Sequence, residues 1–301
     1  MVREARIEAA AFAKVNLHLW VGDKRPDGFH PIVSIFQMVD LHDTIVVSAT
    51  RGREFSLSLQ GLEGVSPEIS TLGRAARLYG DYVESTASLE INCIKRIPMQ
   101  AGLGGGSSDA ATVLIILNEL HGNPLGASEL SSLGATIGSD VPFFLGGGPT
   151  ALVEGRGEIL TVLPSRKDLV GLLVMPPGPG VSTAQAFGAL DALRPVASLP
   201  PPPKELAAMY AEAVEQWSFS NDFSQVMQEH APFYDMLGAM VEAEGNSFGT
   251  ISGSGSCYCI ISENKTVLER LRAKIERKWD DIWVSGIKCL HRDHSDVTVL
   301  L

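Results

Sequence analysis

The chain has 301 residues, 45% of them apolar and 20% charged, which suits one large folded domain or two ordinary ones and excludes disorder over most of its length. Lys and Arg total 24 against 35 Asp and Glu, a formal charge of −11. That acidic excess speaks against a nucleic-acid backbone or an anionic membrane as the main partner, while a phosphorylated small molecule held by a few local donors stays open.

The opening residues, MVREARIEAA, carry charges and no apolar segment ending in a cleavage site, so no secretory signal is expected. Residues 5–21 alternate loosely and are rich in Val, Leu and aromatics, which predicts a strand. Asp27-Gly28 supplies a turn signal ahead of the next apolar stretch, IVSIFQMV. Leu89, Ile91 and Cys93 alternate with Glu90 and Asn92, a further strand that runs into PMQAGLGGGSS at 98–108. From Ser107 the period changes: Ala110, Val113, Leu114, Leu117 and Leu120 fall on one helical face, and Gly122 is the expected stop. A second helical segment, 128–137, closes on GSDVPFF, and 148–162 reads as one strand. The polar run PSRKD at 164–168 is the expected boundary between domains at 1–164 and 165–301. Beyond it, LVGLLVM reads as a strand far too short to span a membrane and ended by Pro176-Pro177. The prolines at 200–203 read as a surface linker, and helical segments precede SFGTISGSGSCYCIIS, a strand, a glycine loop and a strand. Without a regular βαβ rhythm, the expected class is α+β.

Four cysteines are present: Cys93, Cys257, Cys259 and Cys289. No CxxC pair occurs, and Cys257 and Cys259, two apart in an apolar run, share one face of a strand. Buried free thiols in a reducing cytoplasm are expected.

A strand, a glycine-rich segment and a helix, in that order, form an anion site. Glycines let the backbone approach closely so that several N–H groups point at one phosphate, and the helix adds its positive end. Ser107 and Ser108 add hydroxyl donors. The plainer reading is a flexible turn with a serine helix cap, but Gly102, Gly104, Gly105 and Gly106 crowded together would destabilise a plain turn without compensation. The loop lacks the Gly-Lys-Ser/Thr ending of a Walker motif. It also has Ser107 where a dinucleotide fingerprint needs its third glycine. His291-Arg292-Asp293 imitates a protein-kinase catalytic loop, but Thr298 stands where that loop needs Asn and no DFG follows. His291, His294 and Asp296 read as a polar tail rather than metal ligands. No GxSxG elbow is present.

AKVNLHL (13–19), PMQAGLGGGSSDAA (98–111) and ISGSGSC (251–257) occur in an order, and over a span, that resembles the GHMP kinase superfamily of small-molecule kinases. RPDGFH (25–30), GSDVPFF (138–144), GVSTAQAF (180–187) and NDFSQVM (221–227) narrow the resemblance. They are similar to the branch that phosphorylates the 2-hydroxyl of a methylerythritol carrying a cytidine diphosphate group, in non-mevalonate isoprenoid synthesis. The resemblance implies a two-domain fold. Its N-terminal half would be ribosomal-protein-like, its C-terminal half ferredoxin-like, and the active site would lie in the cleft between them.

The same resemblance implies the site residues. Asp140 would accept the proton of the substrate hydroxyl; Asp before Val-Pro is also a good helix N-cap, and the two roles are compatible. Lys14, inside an apolar strand, needs a partner, and Asp140 is the natural one. Asn16, on the same strand face, would hydrogen-bond the hydroxyl region of the substrate. Phe29 and His30 would hold the cytidine base by stacking and by edge hydrogen bonds, with Phe187 on the other face. Many relatives have Tyr at the first of these positions. Pro98, Met99, Gln100, Ala101, Gly102, Leu103, Gly104, Gly105, Gly106, Ser107 and Ser108 would cradle the phosphates of ATP. Residues 253–256 would complete the cleft. Mg2+ is implied for charge neutralisation, with Ser108 as one candidate ligand and the ligand set otherwise unknown. The remaining partners are none: no nucleic acid and no membrane, with monomer and homodimer both open. Other GHMP enzymes (homoserine-, mevalonate- or sugar-type kinases, or diphosphomevalonate decarboxylase) and a non-catalytic nucleotide-binding relative are the alternatives. Lys14, Asp140 and the intact loop argue against the last.

Overall fold

A computed structural model describes residues 2–291 except 63, 64, 67, 147, 179, 181, 195, 228 and 229. Strands β1 (Ala5–Val21) and β2 (Ile32–Arg51) pair antiparallel along almost their full lengths. In the first half of β1, Ile7, Ala9 and Ala11 are buried and the residues between them are partly open, as alternation predicts. From Ala13 to Val21 every residue is buried, so this half is covered on both faces. The polar side chains there, Lys14, Asn16 and His18, are therefore interior.

The other edge of β2 carries β4 (Ala87–Ile94) beside Thr44 to Arg51 and β5 (Thr150–Glu154) beside Ser34 to Gln37. β3 (Ser56–Gln60) joins β4 in parallel and β6 (Ile159–Val162) joins β5, giving the six-stranded sheet. The single strand expected over 148–162 is thus a hairpin, turned where Gly155 and Gly157 take φ values of 71° and 128°. Helices α1 (Thr71–Tyr82), α2 (Gly105–Leu120), α3 (Ala127–Ile137) and α4 (Val141–Gly146) belong to this half. α2 starts two residues before the predicted Ser107 because Gly104, at φ 70°, ends the loop. Its predicted face is buried among α1 and the sheet, as are Ile116 and Ala111 on other faces.

The second sheet contains β7 (Val170–Val174), β8 (Phe248–Ile251), β9 (Tyr258–Ser262) and β10 (Val284–Lys288), ordered β10-β7-β9-β8 and antiparallel throughout. With α5 (Thr183–Leu193), α6 (Pro203–Ala211) and α7 (Ala231–Glu244) after β7, and α8 (Lys265–Lys278) after β9, this is the split βαβ arrangement of ferredoxin-like folds. The prolines at 200–203 do not form a mere linker: Pro203 opens α6, where its missing N–H costs no bond. α8 buries Val267, Leu268, Leu271 and Ile275 on one stripe and is capped by the Asn264 side chain on Thr266 N–H.

The two sheets share cores. Val15 and Leu17 pack with Leu173, Cys259 and Ile261, while Phe36 and Phe143 pack with Tyr258 and Ile260. Cys257 and Cys259 do face the same way, opposite to Tyr258, and all four cysteines are buried and free. The α+β class is as expected. No helix among the described residues is long and apolar enough to cross a membrane.

Candidate active site

The second half of β1 brings the first functional group inside. The Lys14 ammonium has Asn16 Oδ1 at 2.5 Å, Asp140 Oδ2 at 3.4 Å and the Phe36 ring centroid at 4.4 Å. With its side chain only 4% exposed, the charge would be costly without these partners. Asn16 is held in turn, its Nδ2 donating to Ser34 Oγ at 3.0 Å while Ser34 donates to the His18 carbonyl. Both ends of the Asn16 amide are thereby engaged, so in this structure Asn16 orients Lys14. Asp140 lies on the turn before α4, 28% exposed. The pair therefore has a buried cation behind a carboxylate that faces outward.

The glycine loop follows β4. Ala101 and Leu103 are core residues that anchor it, so any phosphate contact from them is through the backbone. Met99 is 71% exposed, and Pro98 and Gln100 are also outside the core. A Cβ on Gly104 would meet Lys14 Cγ at 3.0 Å and Phe144 Cζ at 3.1 Å, which puts the start of α2 directly against the Lys14 side chain. The N–H groups of Gly105 and Gly106 have no intrahelical partner, whereas those of Ser107 and Ser108 bond back to the Gly104 carbonyl. Thr71 Oγ1 donates to the Gly106 carbonyl at 2.8 Å, tying the head of α1 to that of α2.

Beneath the loop lies a charge cluster that sequence reading missed. Lys95 Nζ bridges Asp43 and Asp109, the latter at 2.8 Å. Asp43 Oδ1 accepts from the N–H groups of Arg96 at 2.5 Å and Ile97 at 2.9 Å. Burial pushes the Asp109 carboxyl up to about 7, opposed by Lys95 and reinforced by Asp43. The cluster joins β2, the end of β4 and α2, and no spacing rule signals it.

The second glycine loop, 252–256, closes on the first. Ser252 Oγ donates to the Gly102 carbonyl at 2.9 Å and accepts from Asn16 N–H at 3.2 Å. Asn221 Nδ2 donates to the carbonyls of Ile251 and Gly253 at 2.7 and 2.8 Å. Its neighbour Asp222 accepts from Val21 N–H and from Arg194, at 2.8 and 2.9 Å. The Asn-Asp segment thus supports the loop and the end of β1.

A second group lies beyond the far end of β1. His30 Nδ1 donates to the Gly22 carbonyl at 2.9 Å, its Nε2 is 3.5 Å from Asp191 Oδ1, and its ring stacks on Phe187 at 4.9 Å. Phe187 also meets Phe223 edge-on. Phe29 is 47% exposed, with the guanidinium of Arg156 4.8 Å above its ring. The structure therefore assembles Lys14, Asn16, Asp140 and both glycine loops in one place, and Phe29, His30 and Phe187 in another. Among the described residues no three His, Cys, Asp or Glu side chains are grouped to hold a metal ion. Of the C-terminal tail singled out above, Arg292, Asp293, His294, Asp296 and Thr298 lie outside the described residues.

Residues 70–148, which contain the first loop and Asp140, match the family model described as GHMP kinases N terminal domain. The 4-diphosphocytidyl-2-C-methyl-D-erythritol kinase of Solibacter usitatus is 38% identical over 266 residues, covering 86% of this chain and 82% of that protein. That of Treponema pallidum is 34% identical over 283 residues, covering 89% and 94%. A crystal structure of 4-(cytidine 5'-diphospho)-2C-methyl-D-erythritol kinase superposes with a TM-score of 0.73 at 32% identity, over 93% of this chain and 99% of that one. A homoserine kinase from Cytophaga hutchinsonii, 15% identical with a TM-score of 0.68 over 97% and 98% of the two chains, shares the fold. Fold and site define a two-domain GHMP kinase. Within that class the chain belongs to the 4-diphosphocytidyl-2-C-methyl-D-erythritol kinase family.

Proposed function

We propose that this chain phosphorylates the 2-hydroxyl of 4-diphosphocytidyl-2-C-methyl-D-erythritol with ATP. The carrying observation is the Lys14–Asp140 pair at 3.4 Å, set against the head of α2 where the glycine loop ends. Phosphoryl transfer needs positioned phosphates, charge stabilisation and a group for the hydroxyl proton. Asp140, the exposed member, takes that proton as the hydroxyl attacks. Lys14, fixed by Asn16, keeps the carboxylate oriented and favours negative charge on the reacting oxygen. The free N–H groups at the head of α2 and the backbone of residues 98–108 bind phosphate oxygens. Bound ATP supplies the phosphoryl group, and Mg2+ offsets its charge. Mg2+ is commonly held by one or two protein groups and phosphate oxygens, and the candidate on this chain is Ser108, a hydroxyl in the first turn of α2 beside the free N–H groups of Gly105 and Gly106.

Phe29 offers an exposed ring face for the cytosine base, with His30 and Phe187 forming the wall beside it. Asn16 acts on the hydroxyl region through Lys14 rather than by its own amide. The reading also assigns residues 1–164 to the ATP-binding half and 165–301 to the other, with the cytoplasm as the compartment suited to four free thiols. The test is ATP-dependent ADP release with the cytidine compound beside mevalonate, homoserine and galactose. Turnover confined to the cytidine compound is expected. Turnover on a control alone would keep the superfamily and discard the substrate, and silence on all four with ATP bound would leave a non-catalytic nucleotide binder.

A further inference from the structure

In the C-terminal half, α7, the edge strand β8 and the short 3₁₀ turn Val214–Gln216 border a cavity of about 330 Å³. None of its lining residues belongs to the glycine loops, the Lys14–Asp140 pair or the base group. Gly238, Val241 and Glu242, at i, i+3 and i+4, turn one face of α7 toward it. Its floor is Tyr258 of β9, which points away from Cys257 and Cys259 and packs with Val241. The Tyr258 ring stacks on Tyr234 at 6.0 Å, and the residue is only 6% exposed. A Cβ on Gly249 would lie 2.6 Å from the Tyr258 hydroxyl, and one on Gly238 3.8 Å from it. Both glycines line the cavity, so the hydroxyl reaches its wall through a gap that side chains there would close. The neighbouring Tyr234 hydroxyl donates to the Ser256 carbonyl at 2.7 Å, whereas that of Tyr258 has no hydrogen-bond partner among the described residues. A polar atom so deeply placed calls for one.

The charge around this hydroxyl has one sign. Glu242 of α7 and Glu215 of the 3₁₀ turn line the cavity, both are exposed, and neither has an ion-pair partner among the described residues. Glu244, two positions beyond Glu242, is by contrast held by Arg270 at 2.5 Å and Lys274 at 2.6 Å. No Lys or Arg lines the cavity. An anion would meet two carboxylates there, and a neutral molecule would gain nothing from them. A bare divalent cation wants more oxygen ligands than two carboxylates and a hydroxyl supply, and no three His, Cys, Asp or Glu side chains are grouped among the described residues. A cationic head on an apolar stem uses every part of the lining, and the volume is that of a small-molecule site. We propose that this cavity binds an organic ammonium ion, its charge on Glu215 and Glu242, its stem against Val241 and the Tyr258 ring, and the Tyr258 hydroxyl accepting from its head. The assignment is independent of the substrate reading.

The test titrates 2-phenylethylammonium, the neutral 2-phenylethanol and MgCl2 separately into the full chain with ring-labelled tyrosine, followed by NMR. Of the five tyrosine signals, the one absent from Tyr258→Phe is that of Tyr258. The ammonium ion is expected to move this signal to saturation, with the alcohol binding about tenfold more weakly and Mg2+ leaving it in place. Glu242→Gln and Glu215→Gln, at exposed positions where the fold should be kept, should each weaken the ammonium ion about threefold and leave the alcohol unchanged. Equal affinity for ammonium ion and alcohol would show an apolar crevice without charge recognition and overturn the proposal. Unchanged ammonium affinity in both Gln variants would overturn it as well, since the charge would then be held elsewhere. A Tyr258 signal that moves with Mg2+ and not with the ammonium ion would make the site one for a metal ion, and a signal that moves with neither would leave no cation site at all; either result refutes the assignment.

Discussion

Gly102→Ala tests whether the two glycine loops hold each other. At φ +73°, an added Cβ would sit 1.9 Å from the Ser252 carbonyl oxygen and 2.8 Å from its carbon, far inside the 3.4 Å at which ordinary contact begins. Both are backbone atoms of the opposite loop, so relief requires the loops to part. Gly28 separates that effect from simple strain, since its φ is +85° and nothing lies within 4 Å of its Cβ position. The left-handed conformation alone should cost either alanine about 1–2 kcal/mol. Gly102→Ala additionally displaces Ser252, whose hydroxyl joins the Gly102 carbonyl and Asn16 N–H. At about 1 kcal/mol for each bond, its total should reach about 3–4 kcal/mol. Urea unfolding of the two variants measures the difference, and ATP affinity should fall only in Gly102→Ala. Equal midpoints for the two proteins would refute the claim that this backbone contact joins the loops.

Asp140→Asn should lower kcat by about 10²–10⁴ with little change in substrate affinity, read in a steady-state ADP-release assay; near-normal turnover would reduce Asp140 to a positioning group. The His18 imidazole is pushed down to about 4 by burial, with Asp222 opposing. Its stabilising share is therefore present above pH 6.5 and lost as the pH falls through about 4, and His18→Asn should flatten that acid loss, by up to about 3 kcal/mol, in unfolding measured against pH. Asp109 has the opposite sign: raised to about 7 from an ordinary 3.8, it contributes stability below pH 4 that is lost as the pH rises to about 7. The stability difference between wild type and Asp109→Asn should decline across that window, and a flat difference would contradict the buried, proton-binding carboxyl.

What the sequence revealed depended on whether the cause was local. The limits of β1 were readable because its apolar residues alternate and Asp27-Gly28 follows. The face of α2 was readable because five apolar residues keep a helical spacing. The β5–β6 hairpin was not, since Gly155 and Gly157 interrupt an otherwise continuous strand-like run without a recognised two-residue turn. Burial and charge require a partner for Lys14 and the family resemblance names Asp140, which lies 3.4 Å away, but neither signals that Asn16 Oδ1 is nearer, at 2.5 Å. Strand periodicity places Asn16 on the right face but does not show that Lys14 and Ser34 occupy both ends of its amide. The Asp43–Lys95–Asp109 cluster was invisible for a different reason. Its members come from β2, the end of β4 and α2, and only the folded topology brings them under the loop.

A buried lysine in the middle of a strand would ordinarily count against the strand assignment. Here the second half of β1 is covered on both faces because the ferredoxin-like sheet packs over what would otherwise be a solvent face. That covering makes Lys14 interior, and the first loop is tied to it where Lys14 N–H donates to the Leu103 carbonyl at 3.0 Å, while Ser252 ties the second loop to the first. The polar interior and the candidate site are therefore consequences of one packing event. A strongly acidic chain could handle polyanions on the proposed plan, in which backbone N–H groups and a few placed cations, not the net surface charge, meet phosphate. Loosening the contact between the loops should for that reason weaken stability and nucleotide binding together, whereas altering the Phe29–Arg156 end should change substrate binding and leave both untouched.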